Sequence, residues 1–137
     1  MTIKDLSGYH DLSKYVTALE CELRELRSKA YGVSSSASGE PSGGHGGCKS
    51  DRVGRYAAAI VDKEQKIHEA KRACEIERER IFTYITGEVS RHDRQVATMM
   101  YWRFIQRLSW AEVAARTHVI QADNCRKAVM RYLERFG

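Results

Sequence analysis

Val53, Ile60, Ile67, Cys74 and Ile81 stand seven residues apart in a stretch without proline, and no other feature constrains the fold of this chain as much. A repeat of seven holds side chains on one narrow side of an α-helix, which completes a turn in about 3.6 residues. Ala57, Ala70, Tyr84 and Ile85 support the stripe, whereas Glu64, Lys71 and Arg78 occupy what should be its second seam position. With Ser50 or Asp51 as its cap and Gly87 as its stop, such a helix would be about 50 to 54 Å long. A stripe this sparse cannot stabilise a helix of that length alone, so a partner helix is required.

The beginning of the chain supplies one. Leu12, Val16, Leu19, Leu23, Leu26 and Ala30 follow one another in alternating steps of four and three, the seam of a coiled coil. This predicts a helix from about Asp11 to about Tyr31, preceded by a short turn around Ile3 and Leu6. Residues 34–50 change composition completely, to serine, glycine and the single proline of the chain, and predict a flexible linker ample for an antiparallel return. The seam then joins Leu19, Leu23 and Leu26 to Ile60, Ile67, Cys74 and Ile81. It closes either within one chain, as a hairpin, or partly between two copies, which makes a homodimer the expected assembly.

The last 47 residues carry the charge. From Arg91 to Gly137 nine basic residues face four acidic ones, while residues 1–90 balance at fourteen of each, so the whole formal charge of +5 lies in this segment. Excess positive charge on a short helical segment is the footprint of a nucleic-acid-binding module; the plainer alternative is a solvated face on an ordinary bundle. A helix from about His92 to Arg107, carrying Val96, Met99, Met100, Trp102 and Phe104, leads into it. Ser109 and Glu112 then form a capping box that starts a helix at Trp110, with Leu108 as a staple and Trp110, Val113 and Ala114 facing inward. After an interruption at His118, Val119 and Ile120, a second helix begins near Gln121 or Asp123. Cys125, Ala128, Val129, Tyr132, Leu133 and Phe136 form its apolar side, and Asn124, Arg126, Lys127, Met130 and Arg131 its exposed side, as for a helix lying in a major groove.

This arrangement resembles a known one. Tyr101-Trp102-Arg103-Phe104 ahead of Leu108-Ser109-Trp110-Ala111-Glu112-Val113-Ala114 is similar to region four of bacterial sigma factors. The order of heptad helix, Pro-Ser-Gly-Gly linker, Ser-Asp-Arg-Val-Gly helix start, long charged helix and terminal motif resembles small phage-encoded sigma-like regulators of the ArpU/RinA-like group. The family usually places glycine in the turn, where His118 stands here. The resemblance implies an all-α fold, a long coiled-coil-like hairpin (1–33 and 51–88, joined by 34–50) followed by a C-terminal helix-turn-helix (89–137). It further implies a transcriptional regulator that binds double-stranded DNA in the cytoplasm of a bacterial host. Arg116, Gln121, Asn124, Arg126, Lys127 and Arg131 are the expected DNA-binding residues. The alternative is a phage protein that binds a host protein, such as RNA polymerase or a defence nuclease, and inhibits or redirects it.

Other chemistry has little support in the sequence. Cys21, Cys48, Cys74 and Cys125 lack metal-ligand spacing and are expected to be reduced thiols; His45 and Cys48 alone cannot complete a metal site. His10, His68 and His92 fall on charged helix faces without a neighbouring nucleophile, and the Gly43–Gly47 cluster follows no strand, so neither an enzyme nor a cofactor is expected. No apolar run approaches the length of a membrane span, and no signal peptide is expected.

Overall fold

The computed structural model describes residues 1–36 and 46–137, with side chains outside 33–51. Among the described residues the chain is all-helical: α1 (Ile3–Ser36), α2 (Gly46–Thr83), a π-helical turn (Tyr84–Val89), α3 (Ser90–His92), α4 (Arg94–Met100), a second π-helical turn (Tyr101–Ile105), α5 (Trp110–Thr117) and α6 (Ala122–Phe136). Two compact units result, one formed by Met1–Ser13 with Arg72–Gly137, the other by Lys14–Lys71.

In the second unit α1 and α2 run antiparallel, since Glu20 pairs with Lys71 at 2.9 Å and Arg27 with Glu64 at 2.7 Å. Val16, Leu19 and Leu23 bury against Ile67 and Ala70, with Ile60 packed alongside. Ile60 and Ile67, the part of the stripe that lies in this unit's core, are therefore covered within one chain. Glu64 and Lys71, which look like defects in the seam, reach across to ion-pair partners on α1. Lys63 does the same with Glu22 at 2.6 Å. Its hydrogen bond, foremost, and its charge hold the Glu22 carboxyl below the usual range. The seam is shorter than its sequence pattern, because Leu26 is only half-buried and Val53 is exposed.

Several boundaries differ from those the sequence predicts. Helix α1 starts at Ile3 rather than Asp11, because Thr2 and Asp5 cap it reciprocally: the Thr2 N–H donates to the carboxylate at 2.8 Å and the Asp5 N–H to the hydroxyl at 3.2 Å. Both long helices enter the expected linker 34–50, α1 to Ser36 and α2 from Gly46. Residues 37–45, including His45, and the side chain of Cys48 lie outside the described residues. Gly87 does not stop its helix, which passes through it as a π-helical turn and ends at His92. The predicted helix from His92 to Arg107 is instead opened by Asp93, whose carboxylate accepts from the Gln95 and Val96 N–H groups at 2.9 and 3.1 Å. It ends as the second π-helical turn, at Ile105.

The core of the first unit gathers Leu6 from α1, Ile81, Ile85 and Val89 from α2 and the turn after it, and Val96, Met99 and Met100 from α4. Ala97 of α4, Phe104 and Ile105 of the second π-helical turn, and Val113, Ala114, Cys125, Val129 and Tyr132 from α5 and α6 complete it. Each large apolar side chain fully buried here contributes roughly 1.5 to 3 kcal/mol, so α4, α5 and α6 are locked together by packing. The unit does not begin near residue 89, as the sequence suggests, because the first turns of α1 cover Ile81 and its neighbours.

Candidate nucleic-acid interface

Helix α5 begins as the Ser109–Glu112 pair requires. The Glu112 N–H donates to the Ser109 hydroxyl at 3.2 Å, and the Ser109 N–H donates to the Glu112 carboxylate at 2.8 Å. The bond from the Ser109 N–H, then that from its side chain, holds the carboxyl below the usual Glu range. Val113 and Ala114 are buried. Trp110, expected in the core, is half-buried: one edge meets Phe104 with ring centroids 6.3 Å apart, and the Arg103 guanidinium lies 5.1 Å above the ring.

The helix ends at His118, whose φ of 56° and ψ of 30° place it in the left-handed region. Its N–H and that of Val119 both turn back to the Ala114 carbonyl. A glycine meets this conformation without strain, whereas the Cβ of His118 is crowded in it. Only four residues separate α5 from α6, and the last of them, Gln121, caps α6 with its backbone while its side chain makes no capping bond.

Cys125, Val129 and Tyr132 turn inward, leaving Gln121, Asn124, Arg126, Lys127 and Arg131 exposed. The structure sorts these residues into groups. Asn124, Lys127 and Arg131, spaced three and four apart, share one stripe of α6. Arg126 and Met130 occupy the next stripe and line a hollow with Arg103, Trp110 and Ile3. Arg116 is separate from both: it sits in the last turn of α5 with its guanidinium 4.6 Å above Trp102.

Asp123 complicates the face. Its carboxylate pairs with Lys127 at 2.7 Å and with Arg126 at 3.2 Å. The hydrogen bond from Lys127, then that from Arg126, holds its carboxyl below the usual range. Arg116 and Arg131 enter no ion pair among the described residues.

Comparison with protein-family models, with curated proteins and with solved structures finds no match to this chain.

Ile120 was not singled out by the sequence, where it reads as part of an interruption, yet it is 97 % exposed immediately before the α6 cap. The sequence pattern assigns no role to Arg103 and Arg107 beyond their charge, because Arg107 follows the end of the helical turn, at φ 59°, and only the fold brings it beside α1. Of the remaining special residues, Cys125 is buried, Cys74 is half-buried with its Sγ 4.0 Å from the Tyr9 carbonyl, and Cys21 is exposed. Burial pushes the Cys74 thiol up. Among the described residues no cluster of three or more His, Cys, Asp or Glu could hold a metal ion, and no helix is long and apolar enough to cross a membrane.

Proposed function

We propose that this chain is a sequence-specific DNA-binding transcriptional regulator of the phage sigma-like type, and that α5 and α6 form a helix-turn-helix with α6 as the recognition helix. The observation that carries the proposal is the exposed stripe of Asn124, Lys127 and Arg131 beside Gln121, on a helix whose opposite side is locked into the core. Asn and Gln suit adenine edges, and Arg and Lys suit guanine edges and phosphates, so this is a usable set for a major groove. The short turn and the capped α5 support the reading, because they fix how α6 is presented.

A two-fold dimer would let two such helices meet half-sites about one helical turn apart. It would have to form through a surface other than the Ile60–Ile67 stripe, which α1 already covers. The test is titration of the full chain into random and selected duplexes at several salt concentrations. Affinity that falls steeply with salt, and a selected sequence preferred over random DNA, is the expected result. Absence of DNA binding at low salt would overturn the proposal and favour a protein partner.

A further inference from the structure

We infer that the first unit carries a second phosphodiester-binding site, a guanidinium-lined groove between the first turns of α1 and the segment that precedes α5, which grips the DNA backbone beside the major-groove contacts of α6. The inference rests on the DNA-binding proposal and extends it to residues outside α5 and α6. Two adjoining hollows form the groove. One is lined by Ser7, His10, Arg103, Phe104 and Arg107. The other shares Ser7, Arg103 and Phe104 with it and continues to Arg126 and Met130 of α6. Three arginines thus border the two adjoining hollows, Arg103 lining both, and no carboxylate lines either of them.

The two inner arginines are held ready. Arg103 spends one N–H on the Leu108 carbonyl at 2.8 Å and rests on the Trp110 ring. Arg107 donates to the Ser13 hydroxyl and lies 5.7 Å over the Tyr9 ring. Neither enters an ion pair among the described residues, in contrast to Arg126. A guanidinium oriented by an aromatic face and one hydrogen bond keeps further N–H donors for an anion, and its planar fork matches phosphate oxygens. The larger hollow, about 190 Å³, exceeds the roughly 30 Å³ share of a single water several-fold, which leaves space for a phosphodiester group. Its continuity with the Arg126 stripe of α6 aligns it with a strand flanking the groove that α6 would occupy. An acidic peptide would satisfy the same charges but has no need of that continuity.

The experiment compares the full chain with Arg103→Gln/Arg107→Gln and with Ser7→Glu, which leaves both arginines intact and adds a carboxylate to the α1 wall. Affinity for random and for selected duplexes is measured across a salt series, with melting curves to verify folding. Loss of two phosphate contacts should make the slope of log affinity against log salt shallower by about 1.8, equally on every sequence, because backbone contacts carry no base information. Ser7→Glu should weaken binding severalfold at low salt, and it decides the matter alone if the double variant does not fold. Unchanged slope and affinity in folded variants of a chain that binds DNA would overturn the groove and leave the role of α6 standing. Failure of the unaltered chain to bind any duplex would remove the DNA reading itself. Binding of polyglutamate that these variants abolish, with DNA binding untouched, would assign the groove to an acidic protein partner and overturn the inference.

Discussion

Asp123 decides how much of the α6 charge is available. It stands in the first helical turn, where a carboxylate favours the helix, yet it ties up Lys127 and Arg126 and would face phosphates. Its lowered pKa means that the paired form persists at neutral pH; the contribution of the pairs is present above the ordinary Asp range and is lost as pH falls through the lowered value. Asp123→Asn should therefore tighten DNA binding near pH 7 and steepen its salt dependence by up to about 0.9, equivalent to one further phosphate contact. A duplex titration in which this variant binds no better than the unaltered chain would show that the two cations already reach DNA despite the carboxylate. Ser109 acts on folding instead. Loss of its capping bond in Ser109→Ala should cost about 1 kcal/mol, measured by urea unfolding; an unchanged midpoint would mean that α5 is held by packing alone.

At the scale of elements, His118 and the π-helical turns mark the difference between what composition announces and what only packing reveals. The Ser109–Glu112 box, the short turn and the inward face of α6 as far as Leu133 are legible because each is a local pattern with a local cause, whereas Phe136, on the same pattern, is 42 % exposed at the helix end. The Thr2–Asp5 pair is equally local but stands before a stretch without a sustained seam, so periodicity alone starts α1 later than Ile3. The π-helical turns had no such signature. Ile81, Ile85 and Val89 recur at intervals of four and are all buried, and a widened turn with Ser90 N–H donating to the Ile85 carbonyl keeps them on one face through Gly87. That preference comes from Leu6, α4 and α6 packing against the helix, which no window of sequence contains. The turn after α5 yields a further prediction. Because His118 pays for a left-handed backbone with its Cβ, His118→Gly should stabilise the protein by up to about 1 kcal/mol, the relief of strain exceeding the entropy that glycine adds to the unfolded chain. Thermal unfolding checks it, and a lower melting temperature would mean that the imidazole makes contacts worth more than the strain.

For the molecule as a whole, Ile67 and Ile81 of the heptad stripe are buried inside the chain, while Val53 is left exposed. Five residues at sevenfold spacing suggest an assembly seam, but the pattern alone cannot say whether the covering helix belongs to the same chain, and α1 provides the cover: Leu6 beside Ile81 in one core, and Val16, Leu19 and Leu23 around Ile67 in the other. The two cores are separate clusters, so a lesion in one should be felt there first. Ile67→Glu places a carboxylate in an apolar site only 8 % exposed, one turn from Lys63 and Lys71, which already pair with Glu22 and Glu20, and should cost several kcal/mol. Hydrogen exchange should accelerate around residues 16–23 of α1 and 60–70 of α2, while amides near Val113 and Val129 in the other unit keep their protection. Any rise of the melting temperature with protein concentration should survive the loss of this stripe, since Ile67 is covered without a second copy. A concentration-dependent melting temperature that Ile67→Glu abolishes would instead show that this stripe joins two chains in solution, with α1 giving way to a partner helix.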